Sequence, residues 1–291
     1  MSLTLIRNAA PRLATVTRTG TAGVFRPYYV RGTTTSFGVS GLTPSPRTNH
    51  ILPFAPRGDQ GPIGACTAFA TIGAVQTRQL VQGQIPTPLS QKGLYLQCRD
   101  EAATPNEDSG SDTEHCLYTL QSTGVCREAV FPWTDTIVDA AGIAERPSVD
   151  AYRDAADHRF PYADWSTPIG LDAYEATIRA DNTVLFGTEV SPEIQAYTEG
   201  QILGAPNQND IIGGHELFVN GVIYQWANLP ADIFGSNPRR PTGYVDDTRL
   251  WVIPNSWGTG FGYNGVLLAS DAFLGNPSIP GSVVEIGRAH V

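Results

Sequence analysis

The sequence is short of several things. Its 291 residues include one lysine, Lys92, one methionine and four cysteines, so basic charge is carried almost wholly by arginine. That ratio is read as a nucleotide-composition bias. No stretch approaches the ~18 consecutive apolar residues of a membrane-spanning helix. The longest apolar run, Leu217 to Tyr224, is interrupted by Asn220 and Gly221 and is strand-sized. A membrane partner is therefore not expected. Four cysteines (Cys66, Cys98, Cys116 and Cys126) are too few for a disulfide-dense scaffold. Residues 1–58 contain no Asp or Glu but seven Arg, while the rest of the chain carries a charge of −16, leaving −9 overall. An acidic body argues against a nucleic-acid partner, because a phosphate-binding surface should be basic. The N-terminus has no continuous apolar core, so no signal peptide is evident. The expected location is cytoplasmic, or outside the cell by a non-classical route. Its Arg, Ser and Thr content resembles an organellar transit peptide, but a structural extension is the preferred reading.

What is present fits a globular chain: 41% hydrophobic and 16% charged residues, with 30 Gly and 22 Pro that imply many loops. At ~150 residues per domain, the length allows one large domain or two small ones. Residues 1–52 read as a basic extension. A basic arm on an acidic body can dock on it, bind an outside polyanion or act as a targeting segment. Part of residues 1–50 packing on the body and limiting access to the cleft is one expectation, and a mobile or merely structural arm is its equal alternative. After the Gly/Pro-rich turn DQGPIGAC (59–66), Ala68, Phe69, Ile72, Val75, Gln79 and Leu80 recur at helical spacing. The pattern predicts a buried helix ended by Gly83 and Pro86. Residues 90–99 and 111–122 read as two further helices, with Ser90 capping the first and Gly124 closing the second. Residues 134–170 show little periodicity and read as loop. Helix is expected over 171–180, strand over 183–190, and a turn with a helical piece over 192–200. Strands are expected over 216–225, 250–254 and 265–270. Helices followed by strands imply an α+β fold, with two lobes and a cleft between them. The last seven residues, EIGRAHV, look like a translated sequencing adapter, so 285–291 are expected to be an artefact and 53–284 the folded domain.

Cys66 sits where the Gly-rich turn meets the first helix. A helix N-terminus favours the thiolate, although a lone cysteine is often only a small buried apolar residue. A nucleophilic thiolate needs a base, and the base needs a third group to orient it. Of five histidines, His215 stands apart: it follows two glycines and opens the apolar strand ELFVNGVIY. Asn255, in LWVIPNSWGTGFGYNG, offers a side-chain carbonyl to hold its imidazole, and Trp257 can shield that bond from water. Gln60 lies six residues before Cys66. Its amide N–H and the Cys66 main-chain N–H can bind an oxyanion together.

QGPIGACTAFA, GGHELFVNGVIY and NSWGTGFGYNG, in that order, resemble the three motifs of the papain-like cysteine peptidases. Weaker echoes are LSQKGLYLQC, GSDTEHCLYTLQSTGV followed by FPW, and EVSPEIQAYTEGQI. The resemblance spans roughly residues 53–270, and the chain looks like a compact microbial member with a short N-terminal segment. It implies a two-lobed fold, a helical lobe beside an antiparallel β-barrel-like lobe, and a cysteine peptidase needing neither metal nor organic cofactor. Implied roles are Cys66 as nucleophile, His215 as acid and base, Asn255 as its orienter, Gln60 in the oxyanion hole, and Trp257 as cover. Gly64, Gly110, Ser111 and Gly214 fall where the family lines its cleft and binds substrate backbone. A peptide or protein substrate and a monomer are expected.

The chain departs from the family in several places. The first motif's usual second cysteine is Ile63, and the Cys-x-Gly-Gly segment is reduced to SGSD, which weakens the assignment of Ser111. Beyond Cys66, Cys98 with Cys126 is the first candidate bridge, though all three reduced is favoured. Residues 226–249 lengthen the spacing between His215 and Asn255 and read as an inserted loop beside the cleft. Two other functions share this pattern: a catalytically silent papain-fold binding or structural protein, and acyl transfer or amide hydrolysis on a non-protein substrate.

Overall fold

The computed structural model describes residues 47–55, 58–134, 140–160, 170–275 and 284–285. The arm before residue 47 and the tail after residue 285 lie outside the described residues. So do the gating expectation and all of the suspect tail but its first residue.

Three helices build the first lobe. The apolar periodicity after the Gly/Pro turn becomes α1 (Cys66–Val81), whose Ala68, Phe69, Ile72, Ala74 and Val75 are buried. In α2 (Gln91–Glu101) the Ser90 hydroxyl accepts from the Gly93 N–H at 2.8 Å, as a capping serine should. The third helix, α3 (Thr113–Ser122), runs into Gly124, whose φ is +82°. A Cβ there would stand 2.0 Å from the Ala155 carbonyl, so only glycine fits. Leu94, Leu96, Leu117, Leu120 and Val125 join the buried face of α1 in one core.

Residues 134–170 are not all loop. They contain α4 (Ala140–Ala144) and α5 (Val149–Ala156). The second is capped by Ser148, and its buried face is only Ala151 and Ala155. A stripe of two alanines over eight residues is too weak a hydrophobic signal to stand out in sequence.

The second lobe is antiparallel sheet. α6 (Leu171–Arg179) leads into β2 (Val184–Val190), which pairs in register with β3 (Gly213–Val219). Between them lies α7 (Pro192–Gln195). The expected strand over 216–225 is in fact two. It breaks at Asn220 into β3 and β4 (Gly221–Ile223), which belong to different sheets. Asn220 makes the break by donating its side-chain amide to the Leu52 carbonyl at 2.7 Å, while its own carbonyl takes the Leu52 N–H at 2.9 Å. One sheet runs β1 (His50–Ile51), β4, β5 (Leu250–Pro254), β6 (Val266–Ala269); the other runs β3, β2, β7 (Val284–Glu285). Glu285, the first residue of the suspect tail, pairs with Val184. Residues 226–249 carry α8 (Ala231–Phe234) and bury Ile233, Phe234 and Tyr244 in this lobe's core, so the insertion is packed. A last turn, α9 (Asp271–Leu274), follows β6. The fold is α+β, a helical lobe beside a lobe of antiparallel sheet, as expected.

The lobes meet along α1 and β3. Alternation on β3 sends Leu217 and Val219 into the strand-lobe core and Phe218 into the helical one. Phe218 packs on Gly73 of α1, where an added Cβ would stand 2.8 Å from the ring.

Candidate active site

The turn before α1 is held from outside. Asp108 accepts the Gly64 N–H at 2.9 Å and the Tyr95 hydroxyl at 2.6 Å through one carboxylate oxygen. Gly64 leaves little room for a side chain: a Cβ would stand 3.1 Å from the Asp108 carboxylate oxygen and touch Gly110, whose nitrogen would be 3.4 Å away. Ser111 follows, and its carbonyl accepts the Thr67 hydroxyl at 2.8 Å. Gly64, Gly110 and Ser111 therefore gather beside Cys66. The loop that carries them is shaped by Arg99. Its buried guanidinium donates to the carbonyls of Glu107 (3.0 Å), Thr104 (3.3 Å) and Gly110, and to the hydroxyls of Thr104 and Ser109.

Cys66 opens α1 and is 1% exposed. Its main-chain N–H, in the first turn, has no acceptor within the helix. Burial pushes the thiol up to about 11. The main-chain N–H of Glu216 and Thr67 lie close enough to favour the thiolate but do not offset that cost, and the Glu216 carboxyl adds to it. The helix N-terminus alone does not give an ionised thiol here.

Across the lobe boundary, β3 presents His215. Its Nε2 meets the Asn255 side-chain carbonyl at 2.8 Å. Asn255 is held in turn, because the same oxygen accepts the Ser256 N–H at 2.8 Å. Trp257 stacks on the imidazole with ring centroids 4.9 Å apart, and Phe261 meets Trp257 edge-on at 5.1 Å. This aromatic cover leaves His215 3% exposed, and burial lowers it to about 4 despite the Asn255 bond. The Nδ1 atom has no hydrogen-bond partner among the described residues. Burial thus opposes charge on both His215 and Cys66, and the two are not hydrogen-bonded to each other. Gly214, just before His215, faces Glu189 across the β2–β3 ladder.

Gln60 bridges the two halves. Its N–H donates to the Ser256 carbonyl at 2.8 Å, its side-chain oxygen accepts the Ser256 hydroxyl, and its amide nitrogen donates to the Ile63 carbonyl at 2.7 Å. One amide proton remains uncommitted.

Residues 46–272 match the family described as papain family cysteine protease. The chain belongs to the papain family of cysteine proteases. Cathepsin J of Mus musculus is 26% identical over 211 residues, which cover 72% of this chain and 54% of that protein. A peptidase C1-like protein of Acanthamoeba polyphaga mimivirus is 23% identical over 218 residues, 71% of this chain and 61% of its own length. The chain thus spans little more than half of these curated relatives. Among solved structures, xylellain, a cysteine protease from Xylella fastidiosa, superposes with a TM-score of 0.68 at 24% identity, covering 83% of this chain and 86% of xylellain. The bromelain protease of Ananas comosus gives 0.53 at 17% identity, covering 79% and 87%. At these identities the structures establish the papain-like fold alone.

Sequence reasoning about this papain-family chain assigns nothing to Asp108, Ser256, Arg99 or Glu216. Glu216 had a visible signal: it is the one acid in an otherwise apolar strand. The candidate bridge is also corrected. Cys98 faces Cys116, with sulfurs 3.1 Å apart, whereas Cys126 lies against Gly93 of α2. All four cysteines are free.

Proposed function

We propose that the protein is a cysteine peptidase that hydrolyses peptide bonds through Cys66 and His215. The observation that carries this reading is His215 fixed by Asn255 under Trp257, with Nδ1 left unpartnered at the lobe boundary that also holds Cys66. Asn255 takes the Nε2 proton, so Nδ1 keeps the lone pair a base needs. Cys66 gives its proton to Nδ1, and its sulfur attacks the scissile carbonyl. The Cys66 N–H and the free Gln60 amide proton receive the oxyanion. The His215 imidazolium returns the proton to the leaving amine, and a thioester remains. Water, deprotonated by His215, then releases the acid and restores the thiol. Gly64, Gly110, Ser111 and Gly214 line the cleft, with the Gly110–Ser111 segment pairing with substrate backbone. The substrate is a peptide or protein.

Burial opposes charge on each group taken alone, so the proton transfer from Cys66 to His215 depends on the attraction between the two ions it creates. The test pairs iodoacetamide labelling near neutral pH with a fluorogenic peptide panel. Cys66 should label ahead of Cys98, Cys116 and Cys126, and Cys66→Ser should lower hydrolysis by about 10⁴-fold or more. Labelling without peptide hydrolysis would point to acyl chemistry on another substrate. Absence of both would mean a silent papain-fold protein.

A further inference from the structure

Glu216 follows His215 on β3, but its side chain points the other way, to the face that β3 shares with Phe218 and the helical lobe. It is 7% exposed, and Thr113 at the start of α3 donates its hydroxyl to one carboxyl oxygen at 2.7 Å. The other oxygen leans over Gly187, its cross-strand neighbour on β2, where a Cβ would stand 3.4 Å away. No Lys, Arg or His forms an ion pair with it among the described residues. That sets it apart from the other buried acid, Glu175, which Arg179 and Arg249 contact at 2.8 and 2.9 Å. The titratable groups that feel Glu216 or act on it are Cys66 on α1, whose thiol also meets the Glu216 main-chain N–H, Cys116 on α3, and Asp112 before α3 (3.7 Å from His115). Glu189 lies on the same face of β2, and His215 on the opposite face of its own strand. Two hydrogen bonds tie one stretch of chain to both sides: the Thr113 hydroxyl donates to Glu216, and the Ser111 carbonyl, two residues earlier, accepts from Thr67, the neighbour of Cys66.

We propose that Glu216 is a positioning residue that sets the charge of Cys66, permitting the thiolate while it holds its proton and opposing the thiolate once it loses it. This rests on the peptidase reading for its biological sense, but the charge coupling itself does not. Two anions in one buried region repel, and among the described residues no cation pairs with Glu216 to absorb the second charge. Burial and Asp112 raise the Glu216 carboxyl to about 8 while the Thr113 hydroxyl lowers it, so its proton is lost in the mildly alkaline range. The carboxyl is then a brake that engages as pH climbs.

The decisive measurement is the rate of Cys66 alkylation by iodoacetamide, in which the sulfur forms a bond to carbon and iodide leaves. It is read from pH 5.5 to 9.5 for the whole protein and for Glu216→Gln. Gln mimics the protonated acid, so the two rates should agree near pH 6. The variant should then pull ahead by about tenfold at pH 9, the effect of about one unit on the thiol. A structural role alone would change the rate by the same factor at every pH, and a flat ratio overturns the proposal. Thr113→Val provides a second arm that keeps the acid. Losing the hydroxyl donor weakens the carboxylate, so the brake should engage at higher pH, and an unchanged onset also overturns it. Peptide hydrolysis measured in parallel separates the two readings. If no peptide is cleaved while the alkylation ratio rises with pH, the peptidase reading fails and the coupling stands.

Discussion

In the strand lobe, His215 is bracketed at Nε2 by Asn255 at 2.8 Å and on its face by Trp257, which Phe261 braces in turn. In the helical lobe, Cys66 has a helix start behind it, a buried thiol whose ionisation burial opposes, and main chain from the other lobe in front of it. One half of the site is assembled before any substrate arrives, and the other waits for its charge. The materials differ as well. The strand-lobe core is dense in aromatics, including Trp251, Tyr263, Phe186 and Phe273. The helical-lobe core holds Ala65, Ala68, Ala70 and Ala74 with Cys98, Cys116 and Cys126. Large rings fix a geometry by shape, whereas small residues let helices lie close but leave the lobe easier to stiffen or loosen.

That contrast can be attacked from three directions. The largest effect should come from stiffening the softer lobe. Thiol–disulfide exchange with oxidised glutathione should join Cys98 to Cys116 and stabilise the protein by about 3 kcal/mol, the value for a loop of this size. Peptide mapping without reductant and urea unfolding would show it. A bridge to Cys126, or no shift in the midpoint, would mean the helices are already as rigid as the strands. Next, Asn255→Ala should free the imidazole and lower kcat by about 100-fold, or 2.7 kcal/mol, with little change in KM. Steady-state kinetics decides it, and a drop confined to KM would mean the strand half is held by packing instead. The smallest effect should come at the junction. Gly73→Ala puts a methyl against Phe218. Overpacking costs about 1–3 kcal/mol and better helix propensity returns up to about 1, so a net loss of about 1 kcal/mol is expected in thermal unfolding. Because Phe218 and His215 share β3, kcat should fall with it.

Much of this was legible in the chain. The spacing after Cys66 forecast α1, Ser90 marked the cap of α2, and the runs over 250–254 and 265–270 became β5 and β6. Each depends on local periodicity or a local hydrogen bond, and those are written in neighbouring residues. Residues expected to bear chemistry also come together, His215 with Asn255 and Trp257 and Gly64 with Gly110, whereas Gln60 is held by Ser256, which the sequence did not single out. What stayed hidden depends on distant partners. The break at Asn220 exists because Leu52 claims its amide and carbonyl from far away in the chain. The pairing of Cys98 with Cys116 follows from how α2 crosses α3. The shifts of Cys66 upward and His215 downward come from burial, which no motif encodes.

The loop shaped by Arg99 has a consequence for how such a protein can change. Three of the groups that grip the guanidinium are main-chain carbonyls, at Thr104, Glu107 and Gly110. Carbonyls are present whatever side chain a residue bears. That loop is therefore moulded on a template indifferent to most of its own letters. Side chains along it can be exchanged to suit a new ligand while the contour survives. The mould itself tolerates no such freedom: lysine offers a single point charge where a planar fork of five donors is needed. Variation can collect on one side of that interaction because invariance is demanded of the other.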